Sequence, residues 1–331
     1  MIAGRLWDAR FAFEHPATLW LVGGIVAALV AAAAIIGALQ AAGLIEPPLR
    51  RELWLRTASW AVMAPLLVAP VLLGAFWTIA GVCLLSLACF GEYARVTGLF
   101  RERLVCLMVV LAILALSFAT LDHWYGLFVA VFPLGVGLVA IGSIPLDRPQ
   151  GYVQRVALGV FGFLLFGCAL GHLGYMANDW DYRPVVLLVL IGVALNDIFA
   201  FVVGKALGGR KLLPGTSPNK TVAGAVGALA LTTALVAVIS VPVFRGTALG
   251  DLPHRLVLGA LIGVFGQLGD LVLSSIKRDV GVKDSGALIP GHGGVLDRFN
   301  SLLLVAPAAF HYIGYYQGFG LDQPTRILSG A

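Results

Sequence analysis

Charged residues are scarce in this chain, and that scarcity excludes an ordinary soluble domain. Asp, Glu, Lys and Arg make up 12% of its 331 residues, against about 25% in soluble globular proteins. Cysteine is also rare. The four cysteines lie in apolar runs without a Cys-x-x-Cys pair, which indicates buried, inert thiols. The net charge of +5 is not a nucleic-acid signal, because the basic residues fall in short loops between apolar runs.

What the chain has instead is long hydrophobic runs. Its residues are 60% hydrophobic with a mean hydropathy of +0.94, and the runs exceed the roughly 20 residues that cross a bilayer as a helix. We predict an all-α, polytopic membrane bundle in which residues 1–331 form one domain, with N-terminal spans in 17–180 and catalytic spans in 184–317. The run 57–91 is too long for one crossing, so it is divided near Pro65, Pro70 and Gly74. The ten predicted spans are 17–44, 57–73, 75–91, 104–121, 124–144, 155–177, 184–206, 222–243, 254–276 and 297–317.

The basic residues predict an orientation for these spans. With ten spans, sixteen of the 22 Lys and Arg residues fall on one side of the membrane, which the positive-inside rule makes cytoplasmic. Both termini are then expected outside, in what we expect to be a bacterial inner membrane. The N-terminal run is predicted to be a retained helix, since it is too long for a signal-peptide core.

The loop 274–298 is the most polar segment of the chain. It places Lys277, Arg278, Lys283 and Arg298 among acidic residues, His292 and several glycines. Cations and glycine backbone suit phosphate oxygens, and carboxylates suit a divalent ion that bridges phosphates. We expect this loop to face the cytoplasm and to bind a phosphate-rich ligand.

Two carboxylates lie inside otherwise apolar spans. Asp197 and Asp270 are costly there unless paired or coordinated, so both are functional candidates, with a structural ion pair as the alternative. Helical spacing places Asp270 below Lys277 and Arg278, and Asp297 is expected to open the last helix. The three carboxylates are predicted to converge near the cytoplasmic surface. By contrast, Glu92 is expected to be an exposed helix-end partner of Arg95.

A second polar loop, 208–224, lies on the same predicted side. It offers Lys220 and the hydroxyls of Ser217 and Thr221 but matches no Walker A pattern. A simpler interpretation is a helix stop at Gly208-Gly209, a turn at Ser217-Pro218 and a helix start at Thr221.

The two loops together resemble phosphatidate cytidylyltransferases, the CDP-diacylglycerol synthases. The resemblance rests on Ser274-x-Ile276-Lys277-Arg278, Lys283-Asp284, and Pro290-x-His292-Gly293-Gly294-x-x-Asp297-Arg298. It is supported by Ser217-Pro-Asn-Lys-Thr221 and Asn196-Asp197, and it covers about 190–300. It implies transfer of the cytidylyl group of CTP to phosphatidic acid, with Mg²⁺ and a second cation as the cofactors to consider, and a homodimer.

The resemblance also assigns roles. The implied metal ligands are Asp270 and Asp297. The implied catalytic residues are Asp197, Lys220, Lys277, Arg278, Lys283, Asp284, His292 and Arg298. The implied substrate-binding residues are Asn196, Ser217, Asn219, Thr221, Ser274, Gly293 and Gly294.

Two departures from the family pattern leave alternatives open. Ala223 and Asn300 stand where the family usually has Glu and Asp, so each removes a negative charge. A weakened paralogue, an enzyme for another acidic lipid and a CTP-dependent lipid kinase remain alternatives. A transporter that uses the intramembrane aspartates is the alternative of another class.

Overall fold

The computed structural model describes residues 6–286, 293–319 and 326–330. Almost all of its regular structure is helical, which confirms the predicted all-α membrane bundle. The helices are α1 Pro16–Ala41, α2 Pro47–Leu73, α3 Ala75–Val96, α4 Arg103–Leu121, α5 Tyr125–Gly142, α6 Tyr152–Asn178, α7 Tyr182–Leu207, α8 Val222–Ile239, α9 Leu252–Asp279, α10 Val295–Phe299 and α11 Leu302–Gln317. Within α6, the segment Phe163–Ala169 is a π-helix.

Among the described residues, the nine helices α1 to α9 are long and apolar enough to cross a membrane. The predicted division of 57–91 is confirmed, and the break lies at Gly74, whose φ of 137° favours glycine. Pro65 and Pro70 both lie inside α2 rather than at its end.

The predicted tenth span, 297–317, is two helices rather than one. Asp297 is the third residue of the short helix α10, and Asn300 and Ser301 form the turn before α11. Asp297 therefore does not open the last long helix. At this turn Asn300 contacts Asp270 of α9 and Ser301 contacts Asp197 of α7.

The loop 208–224 contains a small antiparallel hairpin that the sequence analysis missed. Strand β1, Lys211–Leu213, pairs with β2, Ser217–Thr221, so Ser217-Pro218 begins a strand rather than forming a turn. The helix stop and helix start are confirmed. Gly208 ends α7 with φ 60°, and the Thr221 hydroxyl accepts the Gly224 N–H at 3.0 Å as the N-cap of α8.

Helices α7, α8, α9 and α11 pack together as the half of the bundle that carries the polar loops. Small residues allow this close packing: a Cβ at Gly259 of α9 would lie 2.7 Å from the Thr233 backbone of α8, and one at Gly269 would lie 2.6 Å from the Asn300 carbonyl. Such contacts replace the hydrophobic driving force that lipid removes.

Contacts between distant segments agree with the predicted alternation of the spans. At one end of the bundle, Glu92 contacts the backbone of Leu296, and Arg278 contacts Thr216. At the other end, the Leu328 N–H donates to Asp122, and Arg183 donates to the Asp8 carbonyl. Both polar loops therefore lie at one end of the bundle, and the described terminal segments lie at the opposite end.

Candidate active site

Asp270 of α9 joins the hairpin to the α10–α11 turn. One of its carboxylate oxygens forms an ion pair with Lys220 of β2, and the other accepts a hydrogen bond from the Asn300 amide at 2.5 Å. Lys220 and Asp270 side chains are each about one-fifth exposed, at 21% and 22%. The pair is therefore shielded but open to a ligand.

Asp197 of α7 reaches the same turn. The Ser301 hydroxyl lies 2.9 Å and 3.2 Å from its two carboxylate oxygens. Because Asn300 and Ser301 are adjacent, the two intramembrane carboxylates meet at one turn. Two of the three predicted carboxylates thus come together as expected.

Asp297 is the centre of a second cluster. One of its oxygens accepts from Lys277 at 2.7 Å, and the other accepts from the N–H groups of Ser285 and Gly294 and from the Ser285 hydroxyl. Burial acts to raise the pKa of Asp297, but these hydrogen bonds outweigh it and hold the pKa below the ordinary carboxyl value. In this state Asp297 links Ser285 and Gly294 within the loop 274–298, here called the signature loop.

Glu92 of α3 is a member of this cluster that the sequence analysis misjudged. The prediction of an exposed pair with Arg95 is wrong, because Glu92 is buried. Its carboxylate accepts the N–H groups of Val295 at 3.0 Å and Leu296 at 2.8 Å, and the Ser285 hydroxyl at 3.3 Å. It therefore anchors the first turn of α10, where backbone N–H groups have no helical partner.

Two loop glycines make room for Glu92. A Cβ at Gly286 would lie 2.9 Å from its carboxylate, and one at Gly294 would lie closer still. Gly293 has φ 82°, and a Cβ there would lie 2.9 Å from Asp297. Gly286, Gly293 and Gly294 thus fit the carboxylates that hold the loop, in addition to any role toward phosphate.

Arg278 connects the two polar loops. Its guanidinium donates to the Thr216 carbonyl at 3.2 Å and to the Val282 carbonyl at 3.4 Å. Since Lys220 follows on the next strand of the same hairpin, this contact helps to place Lys220 over Asp270.

The remaining predicted residues lie around these clusters. Asn196 is fully buried in the bundle and accepts from Thr232 at 3.1 Å, which suits a structural role. His292 lies outside the described residues. Lys283, Asp284 and Asn219 are exposed, whereas Ser217 and Ser274 are half-buried.

The oxygen-rich turn fits a hard divalent cation. Asp197, Asp270, Asn300 and Ser301 supply carboxylate, amide and hydroxyl oxygens, the donor types that Mg²⁺ takes. In the described part of the chain, no three His, Cys, Asp or Glu side chains are grouped tightly enough to form a metal site by themselves. An ion here would therefore need further oxygens, from Asn300, Ser301, water or a phosphate.

The fold and the site together define a polytopic membrane protein with paired carboxylates and lysines at one end of its bundle. The sequence profile of the cytidylyltransferase family matches residues 54–316, and the chain belongs to that family. The resemblance inferred from the two loops is thus confirmed. The match also extends well into the N-terminal half, which the motifs did not cover.

Three relatives are similar over long stretches, and two of them are named phosphatidate cytidylyltransferase. An Escherichia coli (strain K12) protein called uncharacterized protein YnbB is 35% identical over 271 residues, which is 80% of this chain and 88% of the relative. A phosphatidate cytidylyltransferase of Staphylococcus haemolyticus is 33% identical over 251 residues, or 75% and 94%. One from Staphylococcus saprophyticus is 45% identical over 173 residues, or 51% and 65%. The chain is an integral membrane enzyme of the nucleotidyltransferase class.

Proposed function

We propose that this enzyme transfers the cytidylyl group of CTP to phosphatidate, producing CDP-diacylglycerol and pyrophosphate. The observation that carries the proposal is the junction of Asp197, Asp270 and Lys220 at the Asn300–Ser301 turn. It combines oxygen ligands with a cation at a membrane-embedded site, as transfer between a charged nucleotide and a lipid requires. Relatives named phosphatidate cytidylyltransferase support the choice of substrates.

In the proposed reaction a phosphate oxygen of phosphatidate attacks the α-phosphorus of CTP. A new P–O–P bond forms, the α–β phosphoanhydride bond breaks, and pyrophosphate leaves. Lys220 and Lys277 neutralise the triphosphate, and Arg298 stabilises the negative charge that develops at the reacting phosphate. Positioning and charge neutralisation supply most of the rate acceleration in such reactions.

The proposed metal ligands are Asp270 and Asp197, with Asn300 contributing its amide oxygen. When bound, Mg²⁺ supplies charge neutralisation of the phosphate oxygens and orients them. Asp297 as a ligand remains a prediction, and binding there would require exchange of its four protein hydrogen bonds.

We further propose that the site faces the cytoplasm of a bacterial inner membrane, with both termini outside. This is supported by the distribution of Lys and Arg, and by the contacts that place both polar loops at one end of the bundle. A cytoplasmic site has direct access to nucleotides. The homodimer remains a prediction from the resemblance.

The test is label transfer by purified protein in detergent, with phosphatidate, Mg²⁺ and CTP labelled at the α or the γ phosphate. Cytidylyl transfer places the α label in the lipid phase and releases pyrophosphate. Lipid labelling from the γ position would instead show a kinase, and no labelling from either position would reject a transferase acting on phosphatidate.

Two variants of helix α9 sharpen this test. Asp270→Asn should remove several kcal/mol of transition-state stabilisation and so lower the transfer rate roughly 100-fold or more. Asp251→Asn, at the exposed opposite end of α9, should leave the rate unchanged. Equal rates in the two variants would remove Asp270 from the site.

A further inference from the structure

A cavity of about 370 Å³ lies beside the candidate active site, between α2, α7 and the α10–α11 turn. Its walls are mainly apolar, formed by residues that include Trp60, Leu67, Leu190 and Phe201. Asp197 also lines it, and Asp197 bonds to the turn that holds Asp270. The cavity is therefore an apolar cleft between helices, open at the bundle surface, that reaches the proposed reaction centre.

Two guanidinium groups from separate parts of the chain line the same cavity. Arg56 comes from α2 in the N-terminal half, and Arg298 comes from α10 in the signature loop. Two cationic side chains at one cavity repel each other, and an anion between them would relieve the repulsion.

Arg56 is able to exchange its present partner. It forms an ion pair with Glu52 one helical turn away, and its side chain is 45% exposed. An exposed pair of this kind contributes little free energy. A phosphate that offers two oxygens to the planar guanidinium is a stronger partner.

We propose that Arg56 binds the phosphate of the lipid substrate, an acidic glycerolipid whose acyl chains lie along the apolar wall near Trp60. The inference rests on the proposed function for the identity of that lipid. A lipid fits better than the nucleotide because the lining is apolar apart from Arg56, Asp197 and Arg298. The phosphate would lie beside Asp197, where the lipid nucleophile must meet the nucleotide.

Direct binding provides the first test. Dioleoyl phosphatidate and dioleoylglycerol, which lacks the phosphate, are titrated into detergent-solubilised protein without CTP. Arg56→Ala should weaken phosphatidate binding by at least about tenfold, the loss expected for a hydrogen bond between charged groups, and should change diacylglycerol binding by less than about twofold. Arg51→Ala, an exposed arginine of the same helix outside the cavity, is the matched control and should bind as wild type.

Kinetics provide the second test. In Arg56→Ala the KM for phosphatidate should rise at least about tenfold while the KM for CTP stays within about twofold, as expected for lost lipid binding. Arg56→Lys should recover part of the affinity for phosphatidate, and Arg56→Gln should lose as much affinity as Arg56→Ala. Either of these two variants can replace Arg56→Ala in the test if Arg56→Ala does not fold. Unchanged phosphatidate affinity, or an equal rise in the KM for CTP, would overturn the assignment.

The two levels of inference fail separately. If wild-type protein transfers no label from CTP, the proposed function fails, yet the binding titration still decides whether Arg56 holds a lipid phosphate. If label transfer proceeds and Arg56→Ala binds and reacts as wild type, the proposed function stands and the role of Arg56 is rejected.

Discussion

Glu92→Ala is the most informative perturbation of the candidate site, because Glu92 itself is not proposed to bind substrate or metal. The residue lies on α3, nearly 200 positions before the loop it holds, and its carboxylate accepts from Val295, Leu296 and Ser285. Removing it leaves the first N–H groups of α10 without their anionic partner. We therefore expect the signature loop to lose its arrangement while the spans remain folded.

The magnitude follows from the three hydrogen bonds. Bonds to a charged group contribute about 1.5–3 kcal/mol each, and the Ser285 contact is the longest at 3.3 Å. Allowing for water that replaces part of the loss, the arrangement should weaken by roughly 3 kcal/mol, and turnover should fall about 10- to 100-fold. Glu92→Gln should lie between wild type and alanine, since one amide oxygen still accepts but the NH₂ group faces a donor.

The assay measures label transfer, half-saturating Mg²⁺ and the thermal midpoint in detergent. Loop disorder should lower kcat and raise the Mg²⁺ requirement, with a smaller change in the midpoint of the bundle. Glu102→Gln is the control, because Glu102 forms its ion pair, at 3.8 Å, with Arg155 of α6 and not with the signature loop. Wild-type turnover and Mg²⁺ dependence in Glu92→Ala would refute the anchoring role.

Three further predictions follow from the same structure. Burial acts to raise the pKa of Asp122, but hydrogen bonds from the C-terminal segment outweigh it and hold the pKa below the ordinary value of 3.8. The contribution of ionised Asp122 to the stability of the fold is therefore complete above pH 3.8 and is lost as the pH falls through the lowered pKa. Asp122→Asn should flatten the acid side of the profile of thermal midpoint against pH. A cysteine at exposed Lys283, in a background without the native cysteines, should resist impermeant reagents added outside intact cells, and rapid labelling would reverse the topology. Asn300→Asp, alone and with Ala223→Glu, should alter the Mg²⁺ titration of transfer, and curves indistinguishable from wild type would place both positions outside the site.

The helical framework could be predicted because its signals are local. Apolar runs of span length, the glycine that breaks 57–91 and the Thr221 N-cap each act within a few residues. The last span was predicted less well, because the turn at Asn300 and Ser301 depends on tertiary hydrogen bonds to Asp270 and Asp197. Hydropathy cannot register such a break.

The site could be predicted only in part, for the same physical reason. Spacing along one helix indicated that Asp270 lies near the loop, but Lys220, its ion-pair partner, comes from another element. Glu92 was misjudged because Arg95 offered a nearby partner in sequence, whereas the true partners lie about 200 residues away. A carboxylate near the end of an apolar helix was the available signal, and its burial required the tertiary structure.

The two lysine–carboxylate pairs explain how a cationic nucleotide site can exist beside the membrane before its ligands arrive. Lys220 is neutralised by Asp270, and Lys277 by Asp297, so neither charge is buried alone. Under the proposed function, Lys220 would pair with the triphosphate of the nucleotide, and Asp270 would be left to hold a divalent ion that neutralises charge. Either ligand alone would leave one member of that pair uncompensated at a shielded position, so each should favour the binding of the other. The second pair differs, because Asp297 also holds Ser285 and Gly294, and breaking it would loosen the loop that positions the first.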